Sequence, residues 1–348
     1  MNPLIIPVFL PNLGCRERCL FCNQKAAAEG LPSPLSVRNF IEASLPGLPS
    51  EGKEREKQIA FYGGSFTAIQ RDDQLRYLKE VQPFLASGLI DSIRISTRPD
   101  ALDEEILSLL KEYGVKTVEV GVQSMIDEVL LLARRGHCTA DTMDAVSRLQ
   151  DKKFEVGLQL MIGLPGDTCN RFLQTLNRVI ELQPDFVRIH PTLVLKSTPL
   201  ENLWRAGEYS PLSLDEAVQW LKKGILRLEK SSISVARIGL QPTKELERDF
   251  LAGPYHPAFR QLIDSAIFFD MATSLLQASQ EDGHVLFFCH PKEVSNLKGQ
   301  KNENILRLKK HFKLSEILIE GRQELPRGFL GLQTNGGEVS IHRKSLSF

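Results

Sequence analysis

Three cysteines near the N-terminus, Cys15, Cys19 and Cys22, follow the spacing C-x3-C-x2-C, and no other feature constrains the chain as strongly. Three thiolates can bind three irons of a 4Fe-4S cube, whereas most electron-transfer clusters take four cysteines. The fourth iron then stays open, and an open coordination position suits catalysis. Zinc would require a fourth Cys or His nearby, but the first histidine is His137. A disulfide cannot use three cysteines evenly, so the spacing favours a cluster.

A short apolar run, Leu4 to Leu10, precedes the cysteines and is long enough for one buried strand. Turn-forming residues, Pro11 to Gly14, end this run. The cysteines are therefore expected on a loop that leaves the carboxyl end of a strand. In α/β barrels, the catalytic residues lie at that end of the strands.

The composition of the 348 residues is that of a globular protein, with 42% hydrophobic and 25% charged residues. The formal net charge is zero, which excludes a global field that attracts nucleic acid or anionic membranes. No stretch approaches the roughly 18 apolar residues of a membrane span, and prolines interrupt the apolar N-terminus, which argues against a signal peptide. Six cysteines, three of them in the cluster motif, indicate a reducing compartment. We expect a cytoplasmic protein without a membrane partner.

Short apolar strands alternate with longer helices over most of the chain. This rhythm predicts a parallel sheet that is closed or nearly closed into a barrel. After a helix at 215–230, an additional strand is predicted at 233–239. The strands of the repeat are predicted at 4–10, 58–62, 92–96, 117–122, 154–162 and 186–190.

The alternation of short strands and longer helices changes near Gly253. A long helix is predicted at 259–278, and the last few residues are expected to be loose. Between them a strand, a helix and a strand are predicted at 284–289, 303–312 and 316–320. This pattern indicates a small C-terminal α/β appendix, and the domains are therefore predicted at 1–252 and 253–348. The second domain is a candidate substrate-selecting module.

An aromatic residue, Phe21, stands before the last cysteine, and C-x3-C-x2-C with this aromatic resembles the radical S-adenosylmethionine (SAM) superfamily. The resemblance implies an α/β fold, a partial (β/α)6 TIM-like barrel. It also implies two cofactors, a 4Fe-4S cluster and SAM, whose amino and carboxylate groups bind the open iron. An external electron donor such as flavodoxin or ferredoxin would then drive cleavage of SAM to a 5′-deoxyadenosyl radical.

The segment Ser96-Thr97-Arg98-Pro99-Asp100 ends the third predicted strand and resembles the T-R-P-D of the radical domain in the Elongator catalytic subunit. Many of those relatives carry Glu where this chain has Ser96. The resemblance thus implies that SAM is contacted either by the Ser96 hydroxyl or by a carboxylate elsewhere, that of Glu119. Arg98, in the same segment as Ser96, is also implied as a SAM contact. The resemblance spans about residues 4–255 and does not include the acetyltransferase domain of that subunit.

The turn after the second predicted strand contains Gly63 and Gly64. Two glycines let the backbone approach a ligand closely, although a tight βα turn alone would explain them. In the family, backbone carbonyls of such a turn receive the amino group of SAM. Glu119 and Gln123 are spaced i, i+4 on the fourth strand, so they are expected to share its inner face. The resemblance places Gln123 near the ribose hydroxyls of SAM.

Three further residues are implied as SAM contacts. Arg135 would face the SAM carboxylate, which an arginine can meet with two hydrogen bonds. Alternatively, Arg135 stabilises the dipole at the C-terminus of the preceding helix, which Gly136 ends. Gln159 and Met161, on the fifth strand, would lie next to SAM, although Met161 fits a core position equally well.

Two polar residues of the sixth strand, Arg188 and His190, alternate with apolar neighbours and are expected to point inward. His190 is the candidate catalytic residue, as a proton donor or a substrate contact. A lone histidine is more often a hydrogen-bonded core residue.

Three functional hypotheses remain. The first is a radical SAM enzyme of unassigned substrate. The second is an Elongator-like tRNA-modifying enzyme, favoured by seven Lys or Arg residues between Pro291 and Lys313 against Glu293 and Glu303. The neutral net charge disfavours it, because such a run is usually a solvated helix face. The third is a non-catalytic iron-sulfur binding or sensor protein.

Overall fold

The computed structural model describes residues 3–15, 19–23, 32–47, 55–279 and 283–346. The strands of its N-terminal part coincide closely with the predicted apolar runs. The polar sequence at 46–57, which contains Pro and Gly, predicts a linker, and its residues 48–54 lie outside the described residues. The strands are β1 (Leu4–Phe9), β2 (Lys57–Tyr62), β3 (Ser92–Thr97), β4 (Val115–Gln123), β5 (Glu155–Ile162), β6 (Phe186–Pro191), β7 (Val194–Leu195), β8 (Ser234–Ile238) and β9 (Phe250–Ala252).

Several of the helices that follow these strands begin at a residue whose side chain accepts a hydrogen bond from the first turn. The Asp103 carboxylate accepts from the backbone N–H of Ile106 at 2.8 Å, and Ser213 with Glu216 forms a capping box. The helices are α1 (Pro34–Ser44), α2 (Arg71–Ala86), α3 (Glu104–Glu112), α4 (Asp127–Leu132), α5 (Thr139–Asp151), α6 (Cys169–Leu182), α7 (Pro199–Arg205), α8 (Leu214–Lys230) and α9 (Lys244–Asp249).

The large sheet has the strand order β1-β2-β3-β4-β5-β6-β8. The pairs from β1 to β6 are parallel, as strands linked through helical crossovers must be. The predicted partial (β/α)6 TIM-like barrel is thus confirmed. It is open, because β1 and β8 are the two edges of the sheet.

The two faces of this sheet differ in polarity. Outward residues such as Ile95 are fully buried and apolar, as a face covered by helices requires. Inward positions are polar, and parallel pairing keeps them side by side. Ser96 pairs with Glu119, and Gln159 pairs with Arg188. The interior of the barrel is therefore the polar side of the sheet, where chemistry can be placed.

A second, four-stranded sheet forms the predicted C-terminal α/β appendix. Its strand order is β11-β10-β12-β13, with β10 and β11 parallel and the other pairs antiparallel. The elements are α10 (Phe259–Ser279), β10 (His284–Cys289), α11 (Val294–Lys298), α12 (Glu303–Phe312), β11 (Glu316–Gly321), β12 (Phe329–Thr334) and β13 (Gly337–His342).

The expectation that the last residues are loose is wrong up to Leu346. β12 and β13 form a hairpin in register from Phe329–His342 to Thr334–Gly337. Asn335-Gly336 lies at its turn, a dipeptide that is itself a strong hairpin signal. Residues 347–348 lie outside the described residues.

Packing divides the chain into two compact units. The first contains residues 1–211, 233–237 and 242–253, and the second contains 212–232, 238–241 and 254–348. The second unit includes α8, where Lys222 forms an ion pair with Asp270 of α10. The domain boundary predicted after residue 252 stays a prediction. No helix within the described residues is both long and apolar enough to cross a membrane.

Candidate functional site

The cysteine loop follows β1 at the carboxyl edge of the sheet. Cys15 is exposed, Cys19 is buried and Cys22 is half-buried, and residues 16–18 between them lie outside the described residues. The Cys22 thiol donates to Asn12 Oδ1 at 3.4 Å. The backbone N–H of Leu20 donates to Ala133 O at 3.2 Å, which fixes the loop to the segment after α4.

The Gly63-Gly64 turn lies directly against the cysteine loop. The backbone N–H of Asn12 donates to Gly63 O at 2.9 Å, and that of Ser65 donates to Leu13 O at 2.8 Å. A Cβ at Gly64 would lie 2.3 Å from Leu13 O, and one at Gly14 would lie 2.2 Å from Ser65 O. Glycine is therefore required at positions 14 and 64, because the backbones of the cysteine loop and of the Gly63-Gly64 turn approach more closely than a Cβ allows.

Arg135 connects the cysteine loop to the inner face of β4. Its Nη1 donates to Cys19 Sγ at 3.0 Å, and its Nη2 donates to Gly121 O at 2.7 Å. Its Nε is buried and has no hydrogen-bond partner within the described residues. A buried donor of this kind needs a partner, so the guanidinium is suited to an additional acceptor.

Gln123 adjoins Arg135 at the end of β4. Its φ is +68°, unusual for a residue with a side chain, and the pairing with β5 shifts between Val120 and Gln123. A Cβ at Gly121 would lie 3.1 Å from Gln123 Nε2 and 3.3 Å from Arg135 Nη2. The Gln123 amide and the Arg135 guanidinium therefore both lie over Gly121. The positive φ of Gln123 is a strained backbone conformation, and such conformations are common at functional sites.

Arg98, directly after β3, contacts the segment that carries Arg135. Its guanidinium donates to both carboxylate oxygens of Asp100 and, at 3.2 Å, to the backbone oxygen of Arg135. It thus acts on the position of Arg135, and its predicted contact with SAM stays a prediction. Buried hydroxyls of Ser65 and Thr97, 3.0 Å apart, join the Gly-Gly turn to the end of β3.

Glu119 is the centre of a polar network inside the barrel. It is fully buried, and its Oε1 accepts from Tyr62 at 3.0 Å and from Arg94 at 2.8 Å. Its Oε2 accepts from Gln159 Nε2 at 2.9 Å and lies 3.1 Å from Arg188 Nε. Both carboxylate oxygens are thereby occupied by protein partners. A contact between Glu119 and SAM stays a prediction, and the network supports Gln159 in a fixed position.

The remaining predicted residues of β3, β5 and β6 border this network. Ser96 Oγ lies 3.3 Å from Gln159 Nε2. Met161 packs in an apolar cluster with Leu164 and Phe21, the aromatic residue before Cys22. His190 is paired in register with Met161. The predicted site residues thus lie along one edge and the inner face of the sheet, where Arg98 and Glu119 are bound mainly to protein groups.

The three cysteines are consistent with a cluster. Burial, together with the nearby Cys19 and Cys15, raises the pKa of the Cys22 thiol to about 11. Binding of a metal would remove these protons. Within the described residues, no three metal-binding side chains converge on one point as around a single ion. In a cube each thiolate binds a different iron, so the three sulfurs must be spread apart.

Sequence reasoning missed Tyr62, Arg94 and the hydroxyl pair of Ser65 and Thr97. A signal for Arg94 was present, because Ser92, Arg94 and Ser96 alternate with isoleucines along β3. This alternation predicts a polar face on a strand that is buried on both sides. The hydroxyl pair gave no such signal, since serine and threonine are ordinary in turns.

Comparisons with known proteins agree with this geometry. The model of the Radical SAM superfamily matches residues 10–179, and that of the Radical_SAM C-terminal domain matches residues 184–268. A tRNA uridine(34) acetyltransferase of Methanocaldococcus infernus is 35% identical over 204 residues, which are 57% of this chain and 38% of that protein. Protein YhcC of Escherichia coli K12 is 28% identical over 58% of this chain and 64% of its own length.

A solved structure shows the same fold. The archaeal Elp3 of Methanocaldococcus infernus, with an N-terminal deletion, matches with a TM-score of 0.59 and 22% identity, over 77% of this chain and 63% of that one. The chain thus spans less than two thirds of these relatives. Members of the matched superfamily bind a 4Fe-4S cluster and SAM. With the C-x3-C-x2-C loop at the edge of an open α/β barrel, the two matched models show that the chain belongs to the radical SAM superfamily.

Proposed function

We propose that the chain cleaves SAM reductively and uses the product to act on a substrate inside the barrel. The observation that carries this proposal is the position of Arg135. One guanidinium contacts the Cys19 sulfur and the backbone of Gly121, beside Gln123, and keeps a buried N–H without a partner among the described residues. A carboxylate placed over Gly121 would satisfy that N–H.

Each proposed role follows from chemistry. Cys15, Cys19 and Cys22 hold a 4Fe-4S cluster with one open iron. Bound together, the two cofactors would supply radical chemistry to a substrate at the inner face of the barrel. The backbone of the Gly63-Gly64 turn accepts from the amino group of SAM, and Arg135 donates to its carboxylate.

The other predicted residues bind the rest of SAM. Gln123 hydrogen-bonds the ribose, while Ser96 and Gln159 present polar groups and Met161 an apolar surface to the nucleoside. Arg98 positions Arg135 through its backbone oxygen. His190 contacts the substrate from β6.

The electron comes from outside the chain. Radical SAM enzymes need a reductant, and we propose a flavodoxin or ferredoxin as the donor. The proposal places the protein in the cytoplasm, because its six cysteines are all free thiols.

The test is anaerobic reconstitution followed by measurement of 5′-deoxyadenosine with dithionite as reductant. We expect the wild-type chain to form it, and the Cys19→Ala variant to lose both the cluster absorbance and the product. Cys138→Ser is the matched control, because Cys138 is exposed at the start of α5 and lies outside the motif. Its iron content and its product should equal those of the wild type.

The same experiment separates the sensor hypothesis. A wild-type chain that binds a full cluster and SAM but forms no 5′-deoxyadenosine would contradict the proposal and favour a binding or sensor protein. Loss of the cluster in the Cys138→Ser control would contradict the assignment of its ligands.

A second candidate function, tRNA modification, is favoured by one feature of the C-terminal unit. A groove of about 580 Å³ is lined by Phe269, Thr273, Arg307, Lys310 and His311. The Arg307 guanidinium lies 4.0 Å over the Phe269 ring. Cations beside an aromatic ring are a common surface for RNA. The name of the archaeal relative points to the same class of substrate.

The charge of this surface is more positive than the sequence alone indicates. Glu293, one of the two acidic residues between Pro291 and Lys313, is buried and accepts from Gly328 N at 2.8 Å. It therefore does not offset the cations at the surface.

The test of this candidate is tRNA binding as a function of salt concentration. Lys310→Glu should weaken binding and reduce the salt slope by about one ion for each phosphate that the variant no longer binds. Lys79→Glu, an equal charge change on the exposed face of α2, is the control. Equal effects of the two variants would indicate that only net charge matters and would contradict a tRNA site in the groove.

A further inference from the structure

A cluster of cations lies at the open side of the barrel, on β6 and β8. Arg188 and His190 lie on the inner face of β6. On β8, Ser234 and Ala236 are exposed, whereas Val235 and Arg237 are partly buried. Arg237 therefore points to the side opposite the exposed residues, and it lies within electrostatic reach of Arg188 and Tyr62.

Arginines outnumber carboxylates around this cluster of cations. Glu119 is shared between Arg94 and Arg188, and Glu155 also pairs with Arg94. The side chain of Arg237 has no hydrogen bond or ion pair with any described residue, while its strand pairs with β6 through the backbone. Burial and the neighbouring Arg188 lower the pKa of Arg237. A partly buried cation next to another cation is unfavourable unless an anion joins them.

Arg188 itself is incompletely satisfied. Its Nη2 donates to the Tyr62 hydroxyl at 3.2 Å. Its Nε lies 3.1 Å from Glu119 but is not aligned for a hydrogen bond. The Nε of this guanidinium can therefore donate a hydrogen bond to a second partner.

His190 supplies another unmatched polar atom. Its Nδ1 is inaccessible to solvent and has no hydrogen-bond partner within the described residues. Burial, together with the nearby Arg188 and Arg237, lowers the pKa of His190 to about 4, so the ring is neutral near pH 7. A neutral imidazole can donate one hydrogen bond to an anion without adding charge.

The position of the cluster relates it to the proposed SAM site. Arg188 pairs in register with Gln159, and His190 pairs with Met161. Tyr62 directly precedes Gly63. An anion held by these residues would therefore lie one strand beyond the proposed SAM contacts, on the same inner face.

We propose that Arg237, together with Arg188 and His190, binds an anionic group of the substrate, a phosphate or a carboxylate. This deepens the proposed function, on which it rests for the identity of the ligand as a substrate. Arg237 is the primary contact because no described protein group competes for it. Arg188 and His190 complete the site from the neighbouring strand.

The first experiment maps the reactivity of single arginines in the full-length protein. Phenylglyoxal modifies arginine side chains, and peptide mass spectrometry reads the rate at each one. The rate at Arg237 is compared in inorganic phosphate, in succinate and in sodium chloride at equal ionic strength. Arg76, exposed on α2, is the internal reference.

We expect phosphate, succinate or both to slow the modification of Arg237 relative to chloride, with no change at Arg76. Protection by phosphate alone identifies a phosphoryl group, and protection by succinate alone identifies a carboxylate. Equal rates in the three salts, or equal protection of Arg76, would overturn the proposal.

The second experiment uses variants and a thermal readout. The anion that protects Arg237 should raise the Tm of the wild type and of Arg76→Gln. In Arg237→Gln, its apparent affinity should fall by about tenfold or more, since a charge-assisted partner is removed. Without the anion, Arg237→Gln should unfold no earlier than the wild type, because repulsion from Arg188 is removed. A variant that is destabilised and responds normally to the anion would show that Arg237 is structural.

Failure of this proposal is distinguishable from failure of the proposed function. Neither experiment requires SAM cleavage. An unprotected Arg237 in a chain that forms 5′-deoxyadenosine contradicts the anion site alone. A protected Arg237 in a chain that does not cleave SAM supports the anion site and contradicts the radical reaction.

Discussion

Arg135 donates from Nη1 to the Cys19 sulfur at 3.0 Å, so a residue 116 positions away in sequence contacts a predicted cluster ligand. The same guanidinium donates to Gly121 O on β4. A single side chain thereby joins the loop that would carry the iron to the strand that would carry SAM. Hydrogen bonds to cluster sulfurs are one of the ways in which a protein sets the cluster potential.

We predict two effects of Arg135→Gln. The reduction potential of the cluster should become more negative, because a positive donor no longer stabilises the additional electron. SAM binding should weaken, since the loss of a charged hydrogen-bond partner costs roughly 1.5–3 kcal/mol. A redox titration followed by electron paramagnetic resonance and anaerobic calorimetry with SAM measure the two effects. Iron content should stay unchanged.

Arg134→Gln is the matched control, because Arg134 is the exposed neighbour with the same charge. It should leave both the potential and the SAM affinity unchanged. If Arg135→Gln binds SAM as tightly as this control does, Arg135 does not contact the SAM carboxylate.

The contact between the glycine turn and the cysteine loop gives the second prediction. Gly64→Ala should lower the iron and sulfide content after reconstitution, because its Cβ would lie 2.3 Å from Leu13 O and displace the cysteine loop. Gly47→Ala is the control, since no described residue other than its chain neighbours has an atom within 4 Å of that Cβ. Full iron content in Gly64→Ala would show that the loop can move without losing the cluster.

Much of the fold follows from the sequence because apolar periodicity reports burial directly. β5 and α5 are predictable almost to the residue, since each is an uninterrupted periodic run. The β12–β13 hairpin was missed although Asn335-Gly336 marks its turn, because Gly331 interrupts the short apolar run of β12. Strands such as β7, only two residues long, give no periodic signal at all.

The site was predictable only in part. Spacing identified the cysteines, polar residues on one face of the fourth strand identified Glu119 and Gln123, and the family resemblance identified Gln159. No local pattern could show that Arg135 contacts Cys19, or that Arg237 lies within electrostatic reach of Arg188, because both depend on how distant segments pack. Sequence also could not show that both oxygens of Glu119 are occupied by protein partners.

The third prediction concerns the pH dependence of stability. Burial raises the pKa of Asp167 to about 6, above its unfolded value, while N–H groups of Gly163 and Thr168 and the nearby Arg171 oppose the shift. The native state therefore holds this proton more strongly, so its contribution to stability is lost as pH rises through about 6. Asp167→Asn cannot titrate. The Tm of the wild type minus that of Asp167→Asn should fall between pH 5 and 7.5.

This difference in Tm is measured on both proteins in parallel, so that effects common to the two cancel. A difference that is constant over the range would contradict the raised pKa. A difference that increases with pH would indicate that the ionised carboxylate, bonded to the Gly163 N–H at 3.0 Å, is the favoured form.

The last prediction tests the network around Glu119. Glu119→Gln should destabilise the protein by about 3–5 kcal/mol, because it leaves the buried Arg94 and the partly buried Arg188 without their shared carboxylate. Urea unfolding measures the change. Glu105→Gln is the control, since that carboxylate is 84% exposed and pairs only at the surface with Arg71. If Glu119→Gln costs no more than this control, the arginines find other partners, and the excess of positive charge that favours an anionic substrate group is smaller than the contacts indicate.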